Sequence, residues 1–230
     1  MGKLLCIGGG EVPRIKGGIQ LPYETKEIDE EIVKLAEKQN PKLLFVGTAS
    51  KDSYDYYLVI KKIYEELGCI VSNLELLKEN LDMNEVKNSI LNTDIIYVGG
   101  GNTEFMLEKW RELGVDKLLL EAYNKGIVCS GLSAGSYCWF KLNYDSLEGI
   151  GIINAVNCVH YEQKDKEYRD KFYNVIKETG LDGIALDNCV ALEIVDDKIK
   201  IIESNPNKNA YKISYKNNEF TEEILNGSEL

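Results

Sequence analysis

The sequence predicts an α/β protein, a three-layer sandwich with a mostly parallel central sheet between helices and a β-rich C-terminal end. Short apolar runs alternate with longer amphipathic ones. The short runs are nearly continuous Val, Ile, Leu and Tyr, the composition of strands buried on both faces. LLCIGGG at 4–10 is the first, followed by a helix near 25–39, LLFVGTAS at 43–50 and a helix near 53–67, a βαβα order. CIVSNLELL at 69–77, a helix near 84–91 and DIIYVGGG at 94–101 continue it. Helices near 103–113 and 116–125 then lead into IVCSGLS at 127–133. After Ser133 the sequence predicts a short helix from Ala134 to about Phe140, the apolar segment GIGIINAVNCVHY and a helix near 166–178. In the β-rich end, VALEIVDDKIKIIES has two apolar runs around Asp196 and Asp197, which reads as a hairpin, and NAYKISYK supplies another strand.

At 230 residues, with 44% hydrophobic and 28% charged residues, the chain is able to bury one continuous core. It contains no Pro-, Gly- or Ser-rich linker, so residues 1–230 read as one domain. The formal charge of −11 repels phosphate backbones and anionic lipid, which disfavours nucleic acid and membranes as partners. The start, MGKLLCIGGG, runs from a short apolar segment into glycines instead of a cleavage site, and no apolar run is long enough to span a bilayer, so a cytoplasmic protein is expected. Six cysteines stand singly in apolar surroundings without CxxC spacing and read as buried reduced thiols. With His160 the only histidine and no ligand spacing among the cysteines and carboxylates, neither a metal nor a cofactor is expected.

Chemistry concentrates at two strand ends. Gly131-Leu132-Ser133-Ala134-Gly135 is a GxSxG placed where a buried strand ends and a helix begins. A serine on such an elbow is held in a strained turn above the sheet, and the helix N-terminus offers amides to an oxyanion. The alternative is a tight turn with a capping serine. Val98-Gly99-Gly100-Gly101-Asn102-Thr103 ends another strand, where glycine amides can supply a second oxyanion donor and Asn102 or Thr103 can equally cap the helix that follows. Ligands of a doubly wound sheet bind at the carboxyl ends of its strands, where both motifs sit. A serine needs a base, and His160, at the end of NAVNCVHY, is the one histidine available, although an isolated histidine there is also compatible with a hydrogen-bonded core residue.

GGGNT, then GLSAGS with 31 residues from Asn102 to Ser133, then a histidine ending a strand, resembles peptidase E, the aspartyl dipeptidase family, over roughly residues 1–195. The resemblance implies a class I glutamine amidotransferase-like fold with serine in place of the cysteine nucleophile, which argues against a glutaminase. It implies Ser133 as nucleophile, His160 as general base and the amides of Gly101 and Ala134 as the oxyanion hole. Asn102 and Arg169 match positions that contact substrate, and a guanidinium at Arg169 would hold the carboxylate of an N-terminal aspartate. An exposed helix charge is the alternative for Arg169, which stands among Lys166, Glu167, Asp170 and Lys171.

The chain departs from the family pattern twice. The interval from Ser133 to His160 is 27 residues, shorter than in the aspartyl dipeptidases, so the loop that shapes their substrate pocket is expected to be reduced. The family's third catalytic residue is a glutamate, and the matching position in IALDNCVAL is Asn188, with Asp187 and Glu193 as substitutes under another register. An asparagine carbonyl can orient an imidazole but adds no charge to stabilise imidazolium. The expected function is therefore a serine peptidase acting on short peptides, with Asp-Xaa dipeptides the substrates the resemblance suggests. An amidase or esterase on a non-peptide acyl group, and a silent ligand-binding protein, are the competing classes.

Overall fold

The computed structural model describes residues 2–163, 165–196 and 198–226. The chain opens with strand β1 (Lys3–Ile7), a small hairpin of β2 (Ile15–Lys16) and β3 (Ile19–Gln20), and helix α1 (Lys26–Leu35). Then come β4 (Lys42–Val46), α2 (Tyr54–Glu66), β5 (Ile70–Leu74), α3 (Met83–Leu91) and β6 (Ile95–Val98). Helices α4 (Thr103–Leu113) and α5 (Val115–Asn124) precede β7 (Val128–Leu132) and the four-residue α6 (Ala134–Tyr137). Strands β8 (Phe140–Asn143) and β9 (Ile153–Val159), helix α7 (Lys166–Thr179) and β10 (Gly183–Leu186) follow. The chain closes with β11 (Val190–Val195), β12 (Lys198–Glu203), β13 (Ala210–Lys216) and β14 (Glu219–Ile224).

Among the described residues the central sheet has seven strands in the order β12-β11-β1-β7-β6-β4-β5. The five from β1 to β5 in that order are parallel, and β11 and β12 extend the edge antiparallel. Alternate residues along each strand face opposite layers. Leu5, Ile7, Leu43, Phe45, Ile95 and Tyr97 pack on α1 and α2 through Ile28, Ile32, Ile60 and Tyr64. Leu4, Cys6, Leu44, Ile96 and Cys129 face Val86, Trp110 and Leu119 of α3, α4 and α5. Both faces are thus covered, as an internal parallel sheet requires.

The β-rich end is divided between two sheets. β11 and β12 form the hairpin read around Asp196, which sits at φ 51°, while Asp197 lies outside the described residues. β13 and β14 instead join β8, β9 and β10 in a second sheet, of order β14-β13-β10-β9-β8. Phe140, Ile153, Ala155, Ile184 and Leu186 on one face of it continue the central core, and α7 covers the other through Phe172, Val175 and Ile176.

α1 is shorter than its periodicity suggests. The chain turns left-handed at Glu37 and Asn40 ahead of Pro41, and a residue preceding proline is disfavoured in the helical region. All six cysteines are buried thiols, and among the described residues no helix is long and apolar enough to cross a membrane.

Candidate active site

The parallel strands end together, and the end of β1 organises what lies there. Three consecutive carbonyls, of Ile7, Gly8 and Gly9, accept the amides of Ser133 (3.1 Å), His160 (3.1 Å) and Cys189 (2.9 Å). One short stretch of backbone therefore docks the elbow after β7, the end of β9 and the loop after β10. The glycine run at 8–10 was visible in the sequence as a strand end, but its partners lie more than a hundred residues away.

Ser133 stands between β7 and α6 at φ 58° and ψ −110°, a conformation that costs a non-glycine residue about 1–3 kcal/mol and persists only where its surroundings enforce it. The flanking glycines are part of that enforcement: a Cβ on Gly131 would lie 2.3 Å from the Gly135 carbonyl oxygen, and one on Gly135 would lie 2.1 Å from that of Val98. His160 is likewise left-handed, at φ 53°.

Three side chains meet in line. His160 Nε2 is 2.9 Å from Ser133 Oγ, and His160 Nδ1 is 2.6 Å from Asn188 Oδ1. Because an amide oxygen only accepts, Nδ1 carries the proton and Nε2 turns its lone pair to the serine hydroxyl. Glu162 holds the backbone of Asn188: its Oε2 accepts the Asn188 backbone N–H at 3.0 Å, and its Oε1 pairs with Lys208 at 3.4 Å. Sequence reading passed over Glu162, whose only signal is its place two residues after the histidine.

The two alternative carboxylates are occupied elsewhere. Asp187 Oδ2 accepts from the Asn209 amide at 3.0 Å and the Tyr211 hydroxyl at 3.4 Å. Burial, with the charge of Glu162 adding to it, holds the Asp187 carboxyl above the usual carboxylate range. Glu193, opposite Leu5 in the central sheet, lies 3.7 Å from Lys200 and is also raised by burial.

Gly101 and Asn102 line the same cleft as Ser133 and His160, a hollow of about 310 Å³. Neither the Gly101 amide nor that of Ala134, buried at the first position of α6, donates to a protein acceptor among the described residues. Asn102 caps α4, its Oδ1 accepting the Phe105 amide at 2.9 Å. The Tyr56 hydroxyl accepts the Gly100 amide at 3.3 Å and so holds the loop preceding Gly101. A larger hollow of about 700 Å³ has Val12, Ile15 and Val59 in its wall together with Gly100 and Leu132.

Arg169 does not line the cleft. Its guanidinium lies 4.3 Å from the Tyr161 ring centroid and donates to the Tyr161 carbonyl at 3.2 Å, in a separate hollow with Lys166, Asp170 and Tyr173. The structure thus places Arg169, expected as a substrate clamp, against Tyr161 and outside the lining of the hollow that holds Ser133. Helical periodicity turns consecutive residues about 100° apart, and it is Tyr168 that lines the cleft of Ser133. Tyr137 and Tyr144, also in that wall, were not singled out from the sequence.

Comparison with known proteins agrees with this architecture. The sequence profile described as peptidase family S51 matches residues 15–202. The chain is 29% identical over 231 residues to the uncharacterized peptidase YgaJ of Bacillus subtilis strain 168, covering 96% of both chains. It is 37% identical over 100 residues to the uncharacterized peptidase Lmo0363 of Listeria monocytogenes, a match over 43% of this chain and 48% of that one. Among solved structures, the crystal structure of a peptidase from an acI-B1 actinobacterium superposes with a TM-score of 0.67 at 21% identity, covering 93% of this chain and 97% of that one. A putative peptidase E protein from Listeria monocytogenes EGD-e gives 0.65 at 20% identity, with coverage of 88% and 98%.

Proposed function

Since the chain belongs to peptidase family S51 and is a peptidase-type serine hydrolase, we propose that it cleaves short peptides through an acyl-enzyme on Ser133, with His160 as general base. The observation that carries this is the unbroken line from Ser133 Oγ through the imidazole to Asn188 Oδ1. Ser133 Oγ attacks the scissile carbonyl carbon and its proton passes to Nε2. Charge developing on the carbonyl oxygen is met by the amides of Gly101 and Ala134. As the tetrahedral intermediate collapses, Nε2–H protonates the departing amine. Water then attacks the acyl-enzyme with His160 again taking the proton, and Ser133 is regenerated. Asn188 keeps the imidazole in the tautomer that this sequence needs and supplies no charge to the imidazolium.

The aspartyl preference suggested by the family resemblance relied on Arg169, whose guanidinium is engaged by Tyr161, so the proposal does not extend to N-terminal aspartate. The test is labelling with a fluorophosphonate together with hydrolysis of a dipeptide-amide library. Wild-type protein should be labelled at Ser133 and turn over at least one peptide, and Ser133→Ala should lose both with its melting temperature preserved. Peptide turnover by Ser133→Ala comparable to wild type would remove the nucleophile assignment.

A further inference from the structure

The lining of the cleft says what kind of substrate it suits. Between β8 and β9 the buried Asn143 Oδ1 accepts the amides of Asp145 and Leu147, each at 2.9 Å, folding the short interval into a tight loop. That loop turns Tyr144 and Asp145 into the cleft from one side. Tyr144 stacks on Tyr168 with ring centroids 3.7 Å apart and lies 5.9 Å from the Tyr137 ring, so three tyrosines form one aromatic wall beside Ser133. Glu104, in the first turn of α4, also lines the cleft, and its charge offsets the positive end of the helix.

Among the described residues that line the cleft there is no lysine or arginine. A substrate carboxylate entering here would find two acidic side chains and, among the described residues, no lysine or arginine, whereas an ammonium or guanidinium group would meet both carboxylates and electron-rich rings. The formal charge of −11 adds a field of the same sign.

Resting on the peptidase reading of the same site, we propose that the cleft of Ser133 selects peptides carrying a positive charge next to the scissile bond, held between the tyrosine wall and the carboxylates of Glu104 and Asp145. The charge is that of a lysine or arginine side chain, over and above the terminal ammonium that every free dipeptide carries.

The test compares kcat/KM for dipeptide amides beginning with Lys, norleucine or Asp, each with a free and an acetylated N-terminus. Lysyl substrates should exceed the isosteric norleucyl ones by about tenfold, aspartyl substrates should be poorest, and 0.5 M salt should reduce the spread. Asp145→Asn and Glu104→Gln should each move the lysyl-to-norleucyl ratio toward one. The lysyl preference should survive acetylation, which removes only the terminal ammonium; a fall in rate on acetylation that is equal for all three residues, with no lysyl preference in either series, would place the recognised charge at the N-terminus and overturn the side-chain assignment. Equal rates for all three residues in both series, or an aspartyl preference, would overturn the proposal. Calorimetry of the same peptides on Ser133→Ala reads binding apart from turnover. Equal affinity for lysyl, norleucyl and aspartyl peptides would overturn the cation site, and a cation preference without wild-type hydrolysis would instead overturn the peptidase reading alone.

Discussion

Gly9→Ala should inactivate the enzyme through one methyl group, with none of the three residues assigned to catalysis substituted. A Cβ built at Gly9 lies 2.0 Å from Asn188 Oδ1, 2.3 Å from His160 Nδ1 and 2.4 Å from His160 Cε1, where ordinary contact is 3.4–4 Å. The imidazole and the carboxamide must therefore draw back by more than about 1 Å, and a displacement of that size in an active site costs on the order of 10²-fold in rate. The hydrogen bond of 2.9 Å from Ser133 Oγ to Nε2 has no slack to absorb it. Backbone strain adds a loss of stability, because Gly9 has φ 152°, at about 1–3 kcal/mol for a residue with a side chain. The assay is the rate of fluorophosphonate labelling, which needs no knowledge of the natural substrate, read beside the melting temperature. Gly114→Ala separates the two effects: it has φ 71° and nothing within 4 Å of its built Cβ, so it should lose stability and keep its labelling rate. Labelling of Gly9→Ala within about threefold of wild type would refute the reasoning, since a histidine pushed out of line cannot activate the serine.

Two further outcomes follow from the same structure. Asn188→Asp places a carboxylate at the position now 2.6 Å from His160 Nδ1, which favours imidazolium and should move the acid limb of kcat/KM upward by about one pH unit or more. Asn188→Ala should lower kcat without that shift, and an unmoved limb in the aspartate variant would show that Asn188 does not face the ring in solution. Stability should also fall between about pH 4 and 6, because burial pushes the Asp29 carboxyl up from 3.8 to about 6, against the hydrogen bonds it accepts from Tyr64 and Thr25. The folded protein keeps this proton where the unfolded chain has lost it, so the contribution is full below pH 4, disappears as the pH rises through about 6, and amounts to roughly 3 kcal/mol. Melting curves of Asp29→Asn across this range should lack that part of the wild-type slope; identical slopes would remove Asp29 as its source.

Order of elements, class of fold and the two glycine-bearing strand ends were legible in the sequence because each rests on local periodicity. An apolar run bounded by glycines, or an apolar stripe at helical spacing, carries its own signature. β7, β9 and the helices near 103–113 and 166–178 appear close to where that signature places them. The division of the C-terminal strands did not follow, since an apolar run marks a segment as a strand without saying which strand edge it reaches. Pairing partners lie far apart along the chain, β11 on β1 and β13 on β10, and nothing local encodes them.

The site separates along the same line. The sequence by itself determined which residues were candidates for the chemistry: a serine on a strand-to-helix elbow, one histidine and, through the family resemblance, Asn188 with Asp187 and Glu193 as alternatives for the third place. Only the tertiary structure decided that β1 carbonyls dock Ser133 and His160 side by side, and that the Asn188 oxygen meets Nδ1 while Asp187 turns to Asn209 and Tyr211. It also decided that Arg169 lies against the ring of Tyr161 while Tyr168 lines the cleft of Ser133. Residue type is a property of one position, whereas the direction of a side chain depends on packing by elements tens of residues away.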